Sequence, residues 1–345
     1  MPTTVNNSSA ASRLSWDGHI MFLAAAAVLI FLSMALAMPA QFPTAANLQS
    51  MAFQMAELGI LSVAMSFALI IGGIDLSVTA MANLSAITAA LIMTRTPGAA
   101  TPAAQTAVAA ILGLLASLGV GLACGMVNGL LIGRVRVPAI LVTLGTLTLY
   151  SGLGYAITRG RAVHGVPDQL LFLGIGTVLG IPVPLVIFSL IVGASSLLLR
   201  RTSFGFKVYM LGSNALAARF SGIDNPRITI RTHMISGFLS AIAGLVSLVR
   251  TNSANAEYGS SYLLMAILVA VLGGISVNGG HGRLAGVVLA LLSLQMLSTG
   301  FNMLLSQFSG SNFFRDFAWG FLLLFVMVFG RIKIGFLHTG RFSRQ

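Results

Sequence analysis

Charge is what this chain has least of. Only 8% of its 345 residues are Asp, Glu, Lys or Arg, while 57% are hydrophobic; a soluble domain usually carries about 25% charged residues. So little polar surface excludes a water-soluble fold. Acids are the scarcer sign, with seven Asp and Glu against 19 Lys and Arg. The single cysteine, Cys124, excludes an intrachain disulfide and a thiolate metal cluster. It lies in an apolar run and reads as a small packing residue at a helix interface. The five histidines, His19, His164, His233, His281 and His338, are scattered without zinc-ligand spacing. There is no phosphate-binding G-x-x-x-x-G-K-[ST] loop, so the chain does not hydrolyse ATP by that route. No catalytic residue, metal ligand or bound cofactor is expected.

What the chain has in abundance is apolar sequence. Mean hydropathy is +0.95. A membrane-crossing helix needs about 20 apolar residues at about 1.5 Å each. That ruler marks spans at 18–38, 50–72, 76–94, 103–132, 138–158, 183–200, 229–250, 261–277, 284–304 and 316–332. The expectation is an all-α bundle of about ten transmembrane helices, with a membrane domain at 18–334 and polar tails at 1–17 and 335–345. The apolar run from Ile20 to Met38 exceeds the about 7–15 residues of a signal-peptide core and reads as a retained first helix. The stretch 165–182 is apolar but rich in Gly and Pro, and reads as an outer loop or re-entrant piece.

The net charge of +12 does not point to nucleic acid, because the cations form no single patch or arm. They sit between apolar runs, where they set orientation. With the N-terminus inside, ten crossings place 14 Lys and Arg inside and five outside. Both termini are therefore expected in the cytoplasm. The longest polar segment, 200–232, falls inside and carries six of those inner cations. Its length suggests a soluble partner on that face.

Two acids fall within apolar sequence. Glu57 lies in the second span, where an ionisable group faces a polar path or a partner. Asp75 follows Gly72 and Gly73, a pair that favours a helix break. Asp75 and Ser77 are suited to cap the next helix; a broken helix lining a translocation path is a compatible second role. A related pattern recurs at Gly273, Gly274 and Ser276, and pairing Gly72 with Gly273 gives an offset of 201 residues. This is a trace of internal duplication.

Three ordered segments carry a family resemblance. Gly72-Gly73-Ile74-Asp75-Leu76-Ser77-Val78 is similar to a G-G-I-D-L-S-V-G signature. Leu211-Gly212-Ser213-Asn214, with Ala217 and then Ser221-Gly222-Ile223, is similar to a cytoplasmic L-G-x-N…A…S-G-I motif. Residues 271–286 resemble V-L-G-G-x-S-x-x-G-G-x-G-x-x-x-G. Together they resemble the ribose-type branch of ATP-binding cassette (ABC) importer permeases, in the bacterial inner membrane. Thr79, Ala215 and Ser151 depart from the pattern, which usually has Gly, an acid and Arg there.

The resemblance implies a translocation path for a sugar or sugar-like solute, with Glu57, Gly72, Gly73, Asp75, Ser77, Gly273, Gly274 and Ser276 as its candidates. It implies that Gly212, Asn214, Ala217, Ala218, Arg219, Ser221, Gly222 and Ile223 dock into a separate ATPase subunit, where ATP and Mg²⁺ would bind. A solute-binding protein and a second permease subunit complete the expected assembly within membrane lipid. Two other readings stay open: a branched-chain amino acid ABC permease, and an ion-coupled carrier using Glu57 and Asp75 as proton or cation sites.

Overall fold

A computed structural model describes residues 8–94 and 103–305. The expected span 316–332 and the tail 335–345 lie outside the described residues. The elements run α1 (Ser8–Ala37), α2 (Ala45–Ile70), α3 (Val78–Thr94), α4 (Ala103–Gly133), α5 (Ala139–Thr158), β1 (Val163–His164), α6 (Asp168–Ile175), β2 (Thr177–Val178), β3 (Ile181–Pro182), α7 (Val183–Arg201), α8 (Ser203–Ser213), α9 (Ala215–Phe220), α10 (Asn225–Thr251), β4 (Ser253–Ala254), α11 (Tyr262–Leu272) and α12 (Leu284–Leu304). The strands form two-residue antiparallel pairs, β1 with β4 and β2 with β3.

Among the described residues, seven helices are long and apolar enough to cross a membrane: α1, α2, α4, α5, α7, α10 and α12. Two more, α3 and α11, are apolar but shorter. Both lose length to a glycine break. The Gly72–Ser77 turn delays the start of α3 to Val78, and Gly273–Gly274 stops α11 at Leu272 rather than 277. The stretch 165–182 is no membrane crossing. It folds as α6 and a β2–β3 hairpin whose two turn residues, Leu179 and Gly180, both have positive φ, the twist that two-residue hairpins favour. The polar segment 200–232 is no open loop either: α8 and α9 occupy most of it, and its last residues are the first turns of α10.

α2 and α10 form the axis of the bundle. The most apolar windows of these helices are 89% and 72% buried, against 11% for the peripheral α1. α4 packs against α10 through glycines at every fourth position. A Cβ on Gly121, Gly125 or Gly129 would run into the α10 backbone at Gly237, His233 and Ile230 respectively, and one on Gly133 would lie 3.0 Å from the Pro226 carbonyl. From α10, Gly237 returns the contact to Gly121. Between apolar helices in lipid, such small-residue stripes let backbones approach and gain dispersion energy.

Cross-contacts sort the helix termini into two ends. At one end Gly133 meets Pro226, Gly73 meets Ala139, Asn225 Nδ2 donates to the Ala215 carbonyl, and Gly212 meets Ile70 and Gly280. At the other, Gln49 donates to the Gly180 carbonyl, β1 pairs with β4, and Gly154 meets Ala256. Among the described residues from Gly18 onward, the first end holds nine Lys and Arg (Arg134, Arg136, Arg200, Arg201, Lys207, Arg219, Arg227, Arg231, Arg283), and the second three (Arg159, Arg161, Arg250).

Candidate functional site

The Gly72–Gly73 sequence breaks the chain as expected. Gly72 takes φ +86°, and the amide of Gly73 reaches back to the Ala68 carbonyl, closing α2 with a left-handed turn. The break delivers Asp75 to the middle of the bundle, where it is fully buried. Its Oδ1 accepts from the amide and the hydroxyl of Ser77, at 3.1 and 2.7 Å. Its Oδ2 accepts from the Ser236 hydroxyl at 3.1 Å and lies 3.4 Å from His233 Nδ1. The Ser77 hydroxyl in turn accepts from Asn128 Nδ2 at 2.8 Å. Thr143 of α5 donates to the Ile74 carbonyl. The short break is thus tied to α4, α5 and α10. His233, Ser236 and Asn128 are the members that sequence reasoning missed, since they lie far along the chain inside runs that look merely apolar.

Glu57 is elsewhere. It lies toward the opposite end, 2.9 Å from Arg250 of α10. Glu57 also lines a small pocket with Thr79, Asn83, Ser247 and Tyr258. Asn83 Nδ2 donates to the carbonyls of Ala256 and Tyr258, tethering the α10–α11 connection. Beside it, Tyr155 donates to Glu257 at 2.7 Å. Glu57 and Asp75 therefore each face their own basic partner and do not share a site. Among the described residues no group of three His, Cys, Asp or Glu side chains is placed to hold a metal.

The second glycine motif repeats the backbone of the first. Gly274 has φ +88°, and the Ile275 amide reaches back to the Ala270 carbonyl, as Gly73 does to Ala68. The equivalent of Gly72 is therefore Gly274, an offset of 202 residues. Matching the first glycine of each pair puts the alignment one residue out of step, because the left-handed residue defines the turn. Gly273 instead packs against Val287 and Gly286 at the start of α12. The Ser276 amide donates to the His281 carbonyl, closing the tight loop beyond.

All three motif segments meet at the end rich in cations. The Gly280 amide donates to the Ile70 carbonyl at 2.8 Å. A Cβ on Gly212 would collide with that same carbonyl and lie 2.5 Å from the Gly280 amide. A Cβ on Gly279 would lie 2.8 Å from both the Gly212 carbonyl and the Gly72 amide. The Tyr209 hydroxyl donates to the Gly282 carbonyl at 2.9 Å. Burial pushes the Tyr209 phenol up, against the opposing pull of Arg200 and Arg283, so it stays a proton donor.

Beyond this junction α9 stands out from the bundle. Asn214 caps it, its Oδ1 accepting from the amides of Leu216 and Ala217. Of the residues expected to dock a partner, Ala217, Arg219, Ser221 and Gly222 are exposed, but Ala218 and Ile223 are buried and hold α9 to the bundle. Gly222 has φ +77° and open space around it. Two residues absent from the sequence expectation dominate the exposed face: Phe220, 85% exposed, and Leu216, 63%.

An all-α bundle with two glycine-broken helices, buried acids facing basic side chains and a protruding apolar helix at its basic end has the architecture of a solute-transporting membrane protein. The chain belongs to the branched-chain amino acid transport system / permease component family, whose model matches residues 47–329. It is 33% identical to the ribose import permease protein RbsC of Bacillus subtilis over 83% of this chain and 85% of that protein. It is 31% identical to the L-arabinose transport system permease protein AraH of Escherichia coli, over 92% of each. To the autoinducer 2 import system permease protein LsrD of an Enterobacter strain it is 30% identical, over 84% of this chain and 86% of that protein. No solved structure matches.

Proposed function

We propose that this chain is the membrane-spanning permease subunit of an ABC importer for a sugar or sugar-like solute. The observation that carries the reading is similarity over 83–92% of the chain to ribose, arabinose and autoinducer 2 import permeases, a coverage that takes in both glycine motifs and the segment between them. The family description names branched-chain amino acids, but these relatives favour a sugar. The ion-coupled carrier loses support because Arg250 and His233 already face the two intramembrane acids. The chain itself is not an enzyme. ATP and Mg²⁺ belong to a partner ATPase, a solute-binding protein delivers the cargo, and a second permease subunit completes the membrane unit.

The basic end is the cytoplasmic end in this reading, by the nine-to-three cation bias. Ten crossings follow if α3, α11 and 316–332 each complete one. The exposed Leu216 and Phe220 then form the apolar anchor that an ATPase cleft covers, with Arg219 at its rim. Glu57, Gly72, Gly73, Asp75, Ser77, Gly273, Gly274 and Ser276 remain the candidates for the path and its framework.

The test is recovery of the ATPase on a tagged permease in detergent, comparing the parent with a Leu216→Ser, Phe220→Ser variant. Permease yield should hold, because both side chains point away from the bundle. ATPase recovery should fall about tenfold or more, as loss of two central anchors implies. Unchanged recovery would remove α9 as the docking element.

A further inference from the structure

We propose that the glycine junction of Ile70, Gly212 and Gly280 is a transmission joint, through which movement of the cytoplasmic helices reaches both broken helices at once. Gly212, Tyr209 and Gly280 are then positioning residues for transport. This inference rests on the docking role proposed for α9.

The first argument is connectivity. α8 and α9 are separated only by Asn214, and that residue's side chain is spent in capping α9. A load applied at Leu216 and Phe220 therefore passes directly into the C-terminal turn of α8. That turn carries Gly212. On one side it meets Ile70, the last residue of α2, five positions before Asp75. On the other it meets Gly279 and Gly280, within the loop that follows the break at Gly274.

The second argument is stiffness. Contacts made by long side chains can absorb a displacement by changing rotamer. Here three backbones touch with no side chain between them, and Gly280 is bonded to Ile70 by its own amide. Close-packed backbone has low compressibility and passes strain on. Tyr209, bonded to the Gly282 carbonyl, and Ser213, whose hydroxyl lies 3.5 Å from the Gly280 carbonyl, brace the joint from the α8 side.

The third argument is economy of space. Glycine is required at 212 by the collision a Cβ would suffer, and not by backbone conformation, since Gly212 lies within helix α8. A residue chosen for helix stability would be almost any other. Its presence fits a close approach that must be kept.

The experiment needs no knowledge of the solute. The complete permease–ATPase complex is compared with and without ATP and vanadate by hydrogen-exchange mass spectrometry. In the parent, exchange should change in residues 203–220 and also in both breaks, 68–78 and 270–283. In Tyr209→Phe, ATPase recovery and the response of 203–220 should persist; Gly212→Ala is compared with the parent at equal amounts of bound ATPase, where its 203–220 response should likewise persist. The response of both breaks should fall by about threefold or more, the scale on which residues along a coupled path act. If Gly212→Ala lowers permease yield, Tyr209→Phe decides, because it removes one hydroxyl and no packing volume. Breaks that respond fully in the variants, or that never respond in the parent, would overturn the joint. Loss of ATPase recovery in the Leu216→Ser, Phe220→Ser variant alone tests docking, so failure of the joint and failure of docking are read separately.

Discussion

Asp75 and Glu57 each lie against a basic side chain of α10, His233 at 3.4 Å and Arg250 at 2.9 Å. Burying a carboxylate in a membrane bundle is costly, and a paired one is retained only with good geometry and its lone pairs satisfied. Asp75 meets that condition with two oxygens serving Ser77 and Ser236 beside the histidine. Removing Asp75 strands the buried Ser77 and Ser236 donors and the facing His233 ring, each at a cost of about 1–3 kcal/mol. We therefore expect Asp75→Ala to lower unfolding stability in detergent by that order, and Asp75→Ala with His233→Leu to recover part of the loss. If the double variant is no better than the single, the pair does not hold the break to α10. The break before Asp75 was legible from Gly72 and Gly73, but in place of the expected cap its Oδ1 accepts from the amide and hydroxyl of Ser77, ahead of the helix start at Val78. The partner of Asp75 on α10 was not legible, because Ser236 lies 161 positions away and nothing local marks it.

At the scale of elements, the glycine stripe of α4 decides how closely the axis helix can approach. Gly125 faces the His233 carbonyl directly, whereas Gly119, on the same helix, has open space around it. A methyl group added at 125 must push α4 from α10, while one added at 119 meets nothing and gains helix propensity. Gly125→Ala should lower thermal stability by about 1–3 kcal/mol, and Gly119→Ala should change it by under about 1 kcal/mol. Equal effects would mean that the close approach is not what holds the pair. This stripe was present in the sequence at a period of four and went unread, since glycines spread through apolar runs look like filler until a facing helix is known. The helices α8 and α9 were hidden for the opposite reason. Their cations and small residues read as a loop, and only packing against α7, α10 and the end of α2 shows them as structured. The expected spans were mostly legible, because a run of apolar residues near 20 has few alternatives. Those at 76–94 and 261–277 came out shorter where glycine turns interrupt them.

For the molecule as a whole, the two ends differ in charge and in what they expose. The basic end presents α9, and the opposite end presents the α10–α11 connection and the β2–β3 hairpin. The proposed orientation rests on that asymmetry. A reporter active only outside the cytoplasm should give signal when fused after Gly160 and none when fused after Gly222. The reverse pattern would invert the molecule and place α9 out of reach of an ATPase.

The proposed function makes one demand that no carrier shares, namely that solute movement follows ATP and not an ion gradient. The direct measurement uses proteoliposomes containing the permease and its ATPase, with ATP on the ATPase side and the solute-binding protein on the other. Uptake of labelled D-ribose and L-arabinose is followed with and without a proton ionophore. The account predicts accumulation of at least one sugar that requires ATP, the ATPase and the binding protein, and that is indifferent to the ionophore. Uptake by the permease alone, abolished by the ionophore and unaffected by ATP, would contradict it.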